Sequence, residues 1–82
     1  MKENFFPLSL VPPGEEVIVV AIYGGRGLRA RLTDMGLKEG LKLKVLHSSG
    51  PGPCIVLVGD TRLILGYGMA QKIFVQPVRE EV

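Results

Sequence analysis

With 82 residues, of which 46% are hydrophobic, and a mean hydropathy of +0.30, the chain is too apolar for disorder and long enough for one domain with a modest core. Its net charge of +2 on 22% charged residues is too mild to argue for nucleic acid by itself. A single cysteine, Cys54, excludes an internal disulfide and a thiolate zinc cage, which suits a reducing cytosol.

Met1 to Phe6 is a short lead-in whose adjacent Phe5 and Phe6 are expected to put at least one ring on the domain. Glu3, Asn4 and Pro7 interrupt any secretory apolar region behind Lys2. Pro12-Pro13-Gly14 is a turn. Glu16 to Tyr23 is the first predicted strand, apolar on both faces: either it is covered on both sides or it is a contact surface. Its apolar part, Val17 to Tyr23, is about a third of a membrane span, so a soluble cytoplasmic domain without membrane insertion is expected.

Gly24 to Gly40 is the only stretch with clear helical period. Leu28, Leu32 and Met35 fall on one apolar stripe, with Arg26, Arg29, Arg31 and Asp34 off it. Gly24, Gly25 and Gly27 free the backbone before the helix. Gly36 stands where a left-handed stop is wanted, which pairs Leu37 with Leu32 in a Schellman motif. A helix this short is unstable alone and must dock on the rest of the chain. If Leu28 and Leu32 are core, their replacement by alanine costs about 2–5 kcal/mol.

Leu37 to Gly40 is a turn, and Lys42 to Ser48 a second strand with Lys42 and Lys44 on a wet face. Residues 49–53, Ser-Gly-Pro-Gly-Pro, make an exposed loop. Cys54 to Val58 and Thr61 to Leu65 are strands joined by a Gly59-Asp60 hairpin turn. A two-residue turn sets Val58 against Thr61, Leu57 against Arg62 and Val56 against Leu63. Both faces of that hairpin then carry apolar residues, through a bulge or because one face is a contact surface. Gly66 to Ala70 suits a 3₁₀ turn, and Ile73 to Val75 is the last strand, ended by Pro77. Arg79 to Glu81 is a charged, frayed tail. The order predicts an all-β fold: a five-stranded SH3-like barrel, one helix inserted after the first strand and a 3₁₀ turn before the last. An OB-type barrel also has five strands, but usually places its helix later.

Chemistry is sparse. Gly24-Gly25-Arg26-Gly27 fails the spacing of both phosphate-loop motifs and reads as a structural turn, although free amides at a helix start beside Arg26 and Arg29 could hold an anion. His47 and Cys54 flank the proline-glycine loop and are the metal-ligand candidates. If Ser48 pairs with Cys54, however, His47 points to the opposite face. Met35 and Met69 read as core. There is no paired carboxylate in a structured element, no serine with a base, and a single histidine without an orienting acid, so no enzyme and no cofactor is expected. The cations Arg26, Arg29, Arg31, Lys38, Lys42 and Lys44 lack the interleaved aromatics of a single-strand binder, and nucleic acid is not expected.

Gly24-Gly25, Arg31-Leu32, Met35-Gly36-Leu37, Gly40, Gly52-Pro53, Leu65-Gly66, Met69-Ala70 and Ile73-Phe74-Val75 together resemble the FeoA family of ferrous iron transport proteins, over about Leu8 to Pro77. The resemblance implies a single domain over residues 1–82, an SH3-like barrel with an inserted helix. It implies a cytosolic accessory protein working with FeoB, a membrane ferrous iron transporter with a GTP-binding domain. The same fold forms the C-terminal module of metal-dependent repressors, and a transition-metal-binding or sensing module is the alternative. No metal ligand carries over from those repressors. The expected contact surface combines the helix, through Arg26, Arg29 and Arg31 and its glycine turns, with the hairpin tip at Gly59 and Asp60. Changing Arg26 or Arg29 to glutamate is expected to spare the fold and weaken partner binding.

Overall fold

The computed structural model describes residues 5–48 and 50–78. The tail at Arg79 to Glu81 and most of the N-terminal lead-in lie outside them. The chain runs β1 (Phe6–Pro7), a 3₁₀ turn (Leu8–Leu10), β2 (Glu16–Ile22), α1 (Arg26–Asp34), β3 (Lys42–Ser48), β4 (Cys54–Val58), β5 (Thr61–Leu65), α2 (Tyr67–Ala70) and β6 (Ile73–Pro77). These strands form one antiparallel sheet in the order β1-β6-β2-β3-β4-β5. The all-β architecture, the helix after the first long strand and the hairpin at Gly59 stand as expected.

Three details differ. The described sheet has six strands, because Phe6 and Pro7 pair with Val75 and Phe74. A two-residue strand has no alternation to read, and Pro7, lacking an N–H, is tolerated on an edge. No ladder joins β1 to β5, so the sheet is open rather than a closed barrel. The turn before the last strand is α-type: the Ala70 amide donates to the Gly66 carbonyl at 2.9 Å and the Gln71 amide to the Tyr67 carbonyl at 3.0 Å. The 3₁₀ turn lies instead at Leu8–Leu10, where the Val11 amide donates to the Leu8 carbonyl at 3.1 Å.

The unbroken apolar run of β2 has a structural cause. The β2–β6 register shifts between Val19 and Ala21. A bulge there reverses the alternation, so Val17 and Val19 point inward before it and Ile22 after it. The same core takes Val45, Val56, Leu65, Ile73 and Val75 from the other strands.

α1 ends as its sequence requires. Gly36 has φ +91, the Leu37 amide donates to the Leu32 carbonyl at 2.8 Å, and the Gly36 amide donates to the Thr33 carbonyl at 2.9 Å. Leu32 is buried, with Leu28 and Met35 packed on the core beside it. This stripe docks the helix on the sheet and leaves Arg26, Arg29 and Arg31 exposed.

Candidate functional site

Tight backbone contacts hold both ends of α1. Before it, Gly24 brings the chain so close to Leu28 that an added methyl would overlap the end of that side chain. After it, the Gly40 amide donates to the Val19 carbonyl at 2.8 Å and the Val19 amide to the Leu41 carbonyl at 2.9 Å. These bonds deliver the chain to Lys42 at the start of β3.

The three arginines of α1 differ in what they can offer a partner. Arg29 donates from its guanidinium to the Ile22 carbonyl at the end of β2, and its other terminal nitrogen lies 3.8 Å from Glu39. Both side chains of that pair are about half exposed, so it contributes little on its own. Arg29 is thus engaged within the domain. Arg26 and Arg31 are exposed, and no ion pair is seen for either among the described residues.

Gly59 and Asp60 form the tip of the β4–β5 hairpin. Gly59 has φ +62 and Asp60 an ordinary negative φ, which fits a type II′ turn. The register is the expected one, Val58 with Thr61, Leu57 with Arg62 and Val56 with Leu63, with no bulge. Gly59 lines a recess of about 210 Å³ with Glu16, Lys42, Leu43, Lys44 and Leu57. None of Arg26, Arg29 and Arg31 lines it. The tip is brought to the lysines of β3.

His47 and Cys54 do not meet as a pair of ligands. Ser48 pairs with Cys54, and a register shift between Val45 and His47 leaves His47 opposite Ile55. His47 is exposed on the outer face while Cys54 is buried in the core, where desolvation raises its thiol pKa. Among the described residues, no three acidic, histidine or cysteine side chains gather in a metal-binding group. No helix there is long and apolar enough to cross a membrane.

One surface feature escaped the sequence reading, and a second was left open by it. An apolar cleft of about 230 Å³ lies between Phe6, Leu10, Val11, Pro12, Val17 and Pro77, with Glu15 at its border. It depends on β1, which has no sequence signal. The outer face of the hairpin carries Ile55 and Leu57, partly buried, and Ile64, 68% exposed, none of them in the core cluster. The signal for it was present in the Leu57–Arg62 pairing, which predicted two apolar faces but not which of them is outside.

One antiparallel sheet of short strands with a helix inserted after the first long strand is the arrangement expected of an SH3-like domain of this kind. The family model for the FeoA domain matches residues 6–77. A protein of Methanocaldococcus jannaschii named for Fe(2+) transport protein A is 41% identical over 71 residues, 87% of this chain and 85% of its own. The chain belongs to the FeoA family. A crystal structure of an iron uptake regulatory protein, FeoA, superimposes with TM-score 0.86 at 40% identity, over 92% of this chain and 100% of that one. A manganese-dependent transcriptional repressor also superimposes with TM-score 0.86, at 20% identity, over 95% of this chain but 44% of its own, a likeness of fold alone.

Proposed function

We propose that this domain is a non-enzymatic accessory protein of ferrous iron uptake, which acts in the cytoplasm by docking on an FeoB-type transporter and modulating it. The observation that carries this reading is the 41% identity to a protein named for Fe(2+) transport protein A, spread over 87% of the chain. The exposed cations support a docking role. Arg26 and Arg31 stand on a helix fixed at both ends, and the Gly59 tip adjoins Lys42 and Lys44. Either group of cations suits an acidic patch on the partner. Ferrous iron is cargo here and the transporter carries it.

The test is a titration of the domain with the soluble GTP-binding domain of the cognate transporter, with and without nucleotide. Saturable binding that weakens in Arg26→Glu and Arg31→Glu supports the reading and places the interface on α1. Binding in no nucleotide state, with intact transporter in detergent also failing to retain the domain, sinks it. The alternative, a metal-sensing module, is separated by Fe(II) or Mn(II) titration under anaerobic conditions. Saturable amide shifts confined to the neighbourhood of one side-chain cluster would favour it.

A further inference from the structure

Among the described residues the strand β5 pairs with β4 alone and forms one edge of the sheet. The Gly59-Asp60 turn fixes which of its backbone groups face outward. A two-residue turn closes on a hydrogen-bonded pair, here Val58 with Thr61. Pairs then alternate, so Val56–Leu63 is hydrogen-bonded, whereas Leu57–Arg62 and Ile55–Ile64 are not. The N–H and C=O groups of Arg62 and Ile64 therefore point away from β4. Among the described residues, no backbone hydrogen bond joins either residue to another element.

The side chains of the same two residues lie on the outer face and both are exposed. Arg62 continues a row through Leu57 to Lys44 across three strands. Ile64 continues a row through Ile55 to His47. The edge thus presents, two residues apart, the cation of Arg62 beside Leu57 and the apolar side chain of Ile64 beside Ile55. Among the described residues neither Arg62 nor Lys44 has a carboxylate within ion-pair distance.

We propose that the open edge of β5 adds an extended segment of a partner protein as a further antiparallel strand, selecting an apolar residue followed two residues later by an acidic one. Running antiparallel, the incoming strand meets Ile64 before Arg62. Its apolar residue covers Ile64, and its acid faces Arg62. Main-chain hydrogen bonds to Arg62 and Ile64 supply affinity, and the alternate side chains supply choice. Charge favours such a partner over a second copy, since two β5 edges would bring Arg62 of both copies onto one face. A sheet edge guarded by a single charge repels like-charged strands and admits oppositely charged ones.

This inference goes beyond the transporter reading, and its test contains no transporter, so either can fail without the other. The probe is the peptide acetyl-Thr-Val-Thr-Ile-Thr-Glu-Thr-amide, titrated into the nitrogen-15-labelled full chain and followed by amide shifts and hydrogen exchange. The expected result is saturable binding with the largest shifts and slowed exchange at the Arg62 and Ile64 amides. Affinity should be about fivefold lower for the same peptide with Lys in place of Glu. In Arg62→Glu the preference should invert, and Ile64→Thr should weaken both peptides alike. Equal affinity for the two peptides, shifts centred away from β5, self-association through the same amides without a peptide effect, or no saturable shift up to the peptide's solubility limit would each overturn the proposal.

Discussion

The amide of Leu37 donates to the carbonyl of Leu32 at 2.8 Å across Gly36, and both leucines are wholly buried. One motif thus stops the helix and places both side chains in the core. Leu32→Ala is expected to lower stability by about 2–5 kcal/mol, as deletion of a buried leucine side chain usually does. Gly36→Ala meets no neighbour, so its cost comes from the backbone at φ +91 and should be about 1–2 kcal/mol. Urea unfolding of the two variants checks both. A neutral Gly36→Ala would show that the helix does not need its left-handed stop.

Gly24 and Leu28 should be energetically coupled. An alanine at Gly24 must displace the end of the Leu28 side chain, while an alanine at Gly25 meets open space. A double-mutant cycle should make Gly24→Ala less costly in a Leu28→Ala background, by on the order of 1 kcal/mol. Gly25→Ala should show no such coupling.

Charge reversal on α1 should separate two arginines that look alike in sequence. Arg26→Glu removes no contact seen among the described residues, and should change stability by less than about 0.5 kcal/mol. Arg29→Glu deprives the Ile22 carbonyl of its guanidinium donor, at a cost of about 1 kcal/mol given the exposure of the side chain. Thermal melts of both variants give the answer, and only Arg26 and Arg31 then report cleanly on partner binding.

Cys54 should react with thiol reagents at neutral pH only as fast as the domain unfolds, because it is buried and its thiol is held neutral. The folded pKa is raised above the ordinary 9.0, so the folded state holds the proton more tightly. That contribution to stability is complete below about pH 9 and is lost as pH rises through the raised value. Stability should therefore fall more steeply above pH 9 in the native chain than in Cys54→Ala, compared by urea unfolding at matched pH. Rapid labelling of the folded protein would contradict the burial.

The elements legible in the sequence were those whose signal is local. The stripe Leu28, Leu32, Met35 and the stop at Gly36 need only consecutive residues, because a helix makes its bonds within four positions. The hairpin register from Val58–Thr61 to Val56–Leu63 was fixed by the length of its turn. Only tertiary structure decided the rest. The pairing of Phe6 with Val75 and the bulge at Val20 depend on strands far apart in sequence. So does the bond from Arg29 to Ile22, whose direction the helix's docking sets. Separating exposed His47 from buried Cys54 took a register shift inside β3. Pattern alone could show that the hairpin has two apolar faces. Which face meets water follows from where the sheet ends, and β5 is an edge because no other strand of the described sheet comes to pair with it.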